Sequence, residues 1–173
     1  GIDGVEMLSL AERPDGAPLA LDQDGGLWTA SGDRLSKFCQ LPLGSRQLSQ
    51  ADIAEVGGVV WIVEPGAVWR VDIAESESTC LGLPDIPGFI LDASERGCSV
   101  VGLNGSVFLL GSEGEAYTRC AELPGTVSTV CRSYLPGVVL VACNAPTTIY
   151  RWHGGKMQTL LGQQDGLPSG IVQ

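Results

Sequence analysis

Residues 22–31 read Asp22-Gln23-Asp24-Gly25-Gly26-Leu27-Trp28-Thr29-Ala30-Ser31, a tight turn followed at once by a short strand whose first large residue is a tryptophan. Asp-Gly pairs favour such turns because they tolerate positive φ. The same shape returns three times. Pro65-Gly66 precedes Val68-Trp69-Arg70-Val71, Asn104-Gly105 precedes Val107-Phe108-Leu109-Leu110, and Ala145-Pro146 precedes Ile149-Tyr150-Arg151-Trp152. Large aromatics therefore stand at 28, 69, 108 and 150, spaced 41, 39 and 42 residues apart. Regular recurrence assigns them to a core between repeated units rather than to a ligand shelf.

Independent markers keep the same period. A Leu-Pro pair closes each unit at Leu41-Pro42, Leu83-Pro84, Leu123-Pro124 and Leu167-Pro168, and a glycine precedes an apolar run at Gly16, Gly58, Gly97 and Gly137. A period in the forties with about four strands per unit is the signature of propeller blades. The expected fold is all-β, one domain over 1–173. It is a propeller-like array of about four four-stranded antiparallel blades at about 4–42, 43–84, 85–124 and 125–168, with a further strand starting at 169–173. Each unit reads as a meander of strands A to D from the axis outward. Val59 to Val63 is apolar without alternation, as expected of a strand covered on both faces. Helical periodicity is scarce, so almost no helix is expected.

Of 173 residues, 44% are hydrophobic and 24 are glycine, a composition suited to many short strands and turns. Ten basic against 20 acidic residues give a net charge of −10, which repels phosphate backbones and argues against a nucleic-acid partner. No apolar run is long enough for a membrane span. A chain starting at Gly1, with no initiator Met or signal peptide, reads as a processed product or an internal piece of something longer.

Cys39, Cys80 and Cys120 precede their prolines by three or four residues. Equivalent places in neighbouring blades lie beyond the ~7 Å Cα limit for a disulfide, so these three are expected to be unpaired, buried, apolar residues of a reduced, cytoplasmic compartment. Cys131 and Cys143 flank the Pro136-Gly137 turn, where two packed thiols are favoured over a bridge. With one histidine and no C-x-x-C, a zinc site is not expected, and no cofactor is implied.

Two segments resemble a known repeat family. Residues 22–31 are similar to the Asp-x-x-Gly-x-Leu-Trp-x-x-Thr core of propeller repeats in the sensor regions of two-component regulators. Asp165-Gly166-Leu167-Pro168-Ser169-Gly170-Ile171-Val172 resembles the segment that opens such a repeat. The second and third units keep the spacing and lose most of the consensus. The resemblance implies a β-propeller and carries no signalling role with it; propellers with similar strands include lyases and lactonases as well as binding modules.

Asp52, Asp92 and Arg132 fall near the same point on strand A, six, five and five residues before their glycines. Strand A lines the central channel, so these polar groups stand closest to a pocket, although a hydrated channel lining is the plainer reading. Trp61 and Trp152 break the aromatic series and are expected to be partly exposed, as partner contacts. His153, the only histidine, reads as an exposed turn residue. Asp22, Asp24 and Asp33 partly fit a calcium loop, but Leu27 stands where that loop needs glycine, so they read as turn formers and no metal site is expected. Asn104-Gly105-Ser106 matches a glycosylation sequon that the turn already explains.

The function expected from these features is a non-enzymatic binding or scaffolding module in a larger assembly. The alternatives are a lyase- or lactonase-like propeller enzyme acting on a small molecule in the axial channel, and a glycan-binding or sensor module. The first unit owns a strand A at Val5 to Leu10 and the fourth a strand D at Lys156 to Leu161, while Ile171-Val172-Gln173 begins a fifth strand A. The array is therefore expected to be part of a six- to eight-bladed ring. A second copy, another polypeptide, or residues beyond this chain would complete it.

Overall fold

Among the described residues, sixteen short strands separated by turns form because glycine, Asx and proline punctuation recurs every few residues between β-branched and aromatic runs. A computed structural model describes residues 4–32, 34–84, 87–111, 117–132, 135 and 137–167. The strands make four four-stranded antiparallel sheets, each a simple meander. The first sheet is β1 Met7–Glu12, β2 Pro18–Asp22, β3 Gly26–Ser31 and β4 Arg34–Gln40. The second is β5 Asp52–Val56, β6 Val59–Glu64, β7 Ala67–Asp72 and β8 Glu77–Gly82. The third is β9 Pro87–Ser94, β10 Gly97–Gly102, β11 Ser106–Gly111 and β12 Tyr117–Glu122. The fourth is β13 Thr126–Arg132, β14 Val138–Asn144, β15 Thr148–His153 and β16 Lys156–Leu161. Among the described residues the one helical element is a 3-10 turn at Gln163–Asp165. Ile171-Val172-Gln173, read as a fifth strand A, lies outside the described residues.

The repeat markers have physical jobs. The leucine of the Leu-Pro pair donates its N–H to the carbonyl of the glycine in the turn between the second and third strands: Leu41 to Gly25 at 2.9 Å, Leu83 to Gly66 at 3.1 Å, Leu123 to Gly105 at 2.8 Å. This bond closes three sheets in the same way, and the three leucines are buried. Gly105 has φ +88°, and a Cβ there would run into the Leu123 carbonyl, so the turn admits glycine on two counts. Asn104 accepts the Ser106 N–H at 3.2 Å, the Asx turn expected of the Asn-Gly pair.

The core lies between sheets. One cluster joins the first and second sheets through Leu19, Leu21, Leu27, Ile62 and Trp69. A second joins the second and third through Trp61, Val63, Val68, Val100 and Phe108. A third joins the third and fourth through Val101, Val107, Val141, Tyr150 and Trp152. The aromatic of each later sheet thus packs on the sheet before it. Among the described residues no such cluster joins the first sheet to the fourth.

All six cysteines are free thiols. The burial expected of the outer-strand series is corrected: Cys39 is half-buried, whereas Cys80 and Cys120 are exposed, because β8 and β12 are outermost strands at the rim of their sheets. Cys143 sits in the third cluster and pairs in register with Val127, while exposed Cys131 pairs with Leu140, so the two do not face each other.

Candidate functional site at the inner strands

The inner strands β1, β5, β9 and β13 surround a cavity of about 550 Å³ at the end where each turns into its neighbour. Apolar side chains such as Leu10, Ile53, Leu91 and Val139 form much of its wall, with Glu12, Glu55, Asp92 and Arg132 among them. Asp52 and Arg132, chosen from the sequence, meet: Arg132 Nη2 lies 3.5 Å from Asp52 Oδ2. The same oxygen accepts the Ile90 N–H at 2.8 Å, so one carboxylate ties the second, third and fourth sheets together. Asp92 is exposed and lines the cavity.

These three residues do not share one level of strand A. Asp52 opens β5 opposite Val63, Asp92 stands opposite Ser99, and Arg132 closes β13 opposite Val139. Counted from the turn-side end of each ladder, Asp52 stands in the fifth pair, Asp92 in the third and Arg132 in the first, so a near-equal count to the following glycine is not an equal depth, and the length of the Arg132 side chain makes the contact.

Two ion pairs that sequence reading passed over are stronger. Arg13 grips Glu55 through Nε–Oε2 at 2.5 Å and Nη2–Oε1 at 3.3 Å, joining the first sheet to the second. Arg46 forks onto Glu64 at 2.6 and 2.7 Å. Both guanidinium groups are pushed up in pKa, first by the hydrogen bond to the glutamate. Glu64 Oε1 also accepts the Trp69 indole N–H at 2.6 Å, as Asp22 Oδ2 accepts that of Trp28 at 2.7 Å. An acid five or six residues before a tryptophan, across the turn, was the available signal. Asp22 Oδ1 holds the Gly26 N–H at 2.6 Å, and Asp24 Oδ1 accepts from Gln47 at 2.8 Å, so both serve the turn; Asp33 lies outside the described residues. Among the described residues no three His, Cys, Asp or Glu side chains gather at metal-binding range, and no helix is long and apolar enough to cross a membrane.

Two expected partner contacts are corrected. Trp61 is 0% and Trp152 1% exposed. Trp61 lies in a sheet covered on both faces and Trp152 on the covered face of the fourth sheet, so leaving the aromatic series moves these side chains to the opposite face or along the strand, not into solvent. Trp61 faces the third sheet and donates to the Ser94 carbonyl at 3.2 Å; Trp152 shares the Tyr150 face. His153 is exposed at the end of β15, with Nδ1 3.2 Å from the Gly137 carbonyl oxygen. Cys98 is buried near Asp52 and Asp92; burial first, then those carboxylates, hold its thiol well above its usual pKa and keep it protonated.

No family model matches the chain, and no curated protein matches it. Solved structures do. YCF48 from Cyanidioschyzon merolae is 11% identical with a TM-score of 0.67, over 90% of this chain and 56% of that one. YCF48 bound to D1 peptide is 13% identical at 0.68, over 90% and 54%. The C-terminal WD40 domain of Sif2 is 12% identical at 0.66, over 94% and 47%. The chain spans about half the length of these structures. Identities this low establish fold alone, and the fold is that of the β-propellers.

Proposed function

We propose that the chain is a non-catalytic binding and scaffolding module, a component of a larger assembly whose partner is protein. The observation that carries this reading is the covering of the aromatic series. Trp69, Phe108 and Tyr150 are 6, 1 and 6% exposed, whereas Trp28 is only half-buried. Trp28 lies in one cross-strand row with Leu10 and Ala20, on the face of the first sheet turned away from the second. Leu10 on that face is 72% exposed and Leu35 48%. Exposed apolar side chains gathered on one face of an end sheet mark a candidate interaction site. A solved propeller of similar fold with a bound D1 peptide supports protein recognition by this architecture.

Of the acids that line the cavity at the inner strands, Glu55 is held by Arg13, while Glu12 and Asp92 face it. No histidine or cysteine is among the described lining residues, so an acid there has no imidazole or thiol to work with, which supports binding over catalysis. Six unpaired thiols support residence in a reducing compartment. The likeness to regulator-sensor repeats adds architecture and no signalling role.

The chain has four tryptophans, and Trp61, Trp69 and Trp152 are buried, so quencher-accessible indole emission reports on Trp28. In dilute solution the folded chain is expected to bind a hydrophobic dye and to show an acrylamide-accessible emission that Trp28→Phe removes. A folded monomer with all four indoles shielded and no dye binding overturns the proposal.

A further inference from the structure

The three internal interfaces are directional. Each sheet presents its aromatic to the sheet before it and offers an aliphatic row to the sheet after it. In register, the receiving position beside the aromatic is Leu27, Val68, Val107 and Ile149 in the four sheets. Leu27, Val68 and Val107 are 0, 1 and 0% exposed within their clusters, but Ile149 is only half-buried. Leu161, opposite Ile149, is 43% exposed, and Leu140, opposite Arg151 on the same face, is half-buried. The first sheet thus has an uncovered presenting face and the fourth an uncovered receiving face. The molecule carries both halves of an interface it already makes three times.

We propose that a second copy of this chain covers both faces, its fourth sheet on the first sheet of its partner and the reverse contact made together, closing a ring of eight sheets. This rests on the binding reading above and names the occupant of the Trp28 face. Head-to-tail faces on one body generate rings or filaments, and two copies of four sheets make a ring at the upper end of the ordinary range of four to eight blades.

Area favours closure over a single contact. Four strands ~4.8 Å apart and six residues long at ~3.4 Å each present roughly 400 Å² per face. One contact therefore buries about 800 Å², the size of an incidental contact, whereas the closed pair buries about 1,600 Å², the size of a stable specific interface. An unrelated partner would need an aromatic-bearing sheet for Ile149 and an aliphatic sheet for Trp28 at the correct separation; a second copy supplies both. The Lys37 ammonium lies 5.1 Å over the Trp28 ring and is no obstacle. Its register counterpart in the third sheet is Arg119, opposite Phe108, which directs its guanidinium to Ser106 at 2.7 Å while Phe108 is 1% exposed. A cation at that position coexists with a covered aromatic.

The test is light-scattering mass at tens of micromolar. Wild type is expected at twice 18.1 kDa. Trp28→Arg and Ile149→Asp each put an unpaired charge into both symmetry-related contacts and are expected to weaken dimerisation at least about a hundredfold, leaving folded monomers by circular dichroism. Leu10→Glu, at a position too exposed to endanger folding, is expected to act in the same direction. Mixing the Trp28→Arg and Ile149→Asp chains restores one unaltered contact and sets opposite charges in the other, so the dimer returns. A dimer that survives Ile149→Asp pairs first sheet with first sheet and overturns the proposal. A wild-type monomer with accessible Trp28 overturns the second copy but leaves the binding reading standing. A monomer with all indoles shielded overturns both.

Discussion

Trp28 and Trp69 occupy the same place in consecutive sheets. Each donates its indole N–H to an acid across the preceding turn, at 2.7 and 2.6 Å, and each stands against the middle strand of its meander. They differ in what lies on the other side. Trp69 packs onto Leu19, Leu21 and Leu27 of the preceding sheet, while Trp28 has Lys37 over its ring. Local sequence set the bond and the orientation; the covering came from the neighbouring sheet. The two sites therefore separate what a repeat does by itself from what it does by stacking.

The largest effect is expected from removing the rings. In dilute monomer, Trp69→Ala should cost about 3–5 kcal/mol, as a buried aromatic does, and Trp28→Ala about 1 kcal/mol or less, read from urea denaturation. Equal costs would mean that Trp28 is covered in solution. Next come the acids. Glu64→Ala strands a buried indole N–H and the Arg46 fork, and should cost about 2–3 kcal/mol. Asp22→Ala should cost less, because water can reach the half-buried Trp28 ring; the same denaturation series measures both.

The fourth sheet sharpens the comparison by pH. Its covered face holds Cys143, whose thiol burial pushes up from 9.0 to about 11. Stability from keeping that thiol neutral is complete below pH 9, where the unfolded thiol is also protonated, and drains away as pH rises through about 11. The loss from this thiol should reach about 2 kcal/mol, so Cys143→Val should lose that much less than the wild type over the same pH range, as followed by Tm against pH. Smallest is Lys37→Gln, which removes the cation over Trp28. It should cost about 0.5 kcal/mol in the monomer and increase the quenching of Trp28 by acrylamide.

Much of the fold was legible before any coordinates. The aromatic, Leu-Pro and glycine series each report one recurring backbone requirement, and Leu41, Leu83 and Leu123 make the same closing bond in their turns. The candidate site was legible only in part. Asp52 and Arg132 were chosen as channel-lining groups and do meet, but through side-chain reach across a stagger that residue counting missed. Arg13, Arg46, Glu55 and Glu64 were not chosen, because each ion pair joins a residue outside the strands to a strand of the second sheet 42 or 18 positions away, which no local pattern links. Trp61 and Trp152 were placed at the surface because they broke a series, yet Trp61 lies in a sheet between two neighbours, which has no free face, and Trp152 lies on the covered face of the fourth sheet beside Tyr150.

By itself the sequence determined the strands, their turns and the meander within each sheet, because hairpin pairing is decided by φ-permissive residues and by alternation over a few positions. It also determined which residue of each unit is the aromatic. Only the tertiary structure decided which faces are covered, which carboxylates find a guanidinium, and that Trp28 and Ile149 are left half-buried at opposite ends of the array. Burial and ion pairing between sheets depend on how one sheet stacks on the next, a distance and an angle that no residue encodes alone.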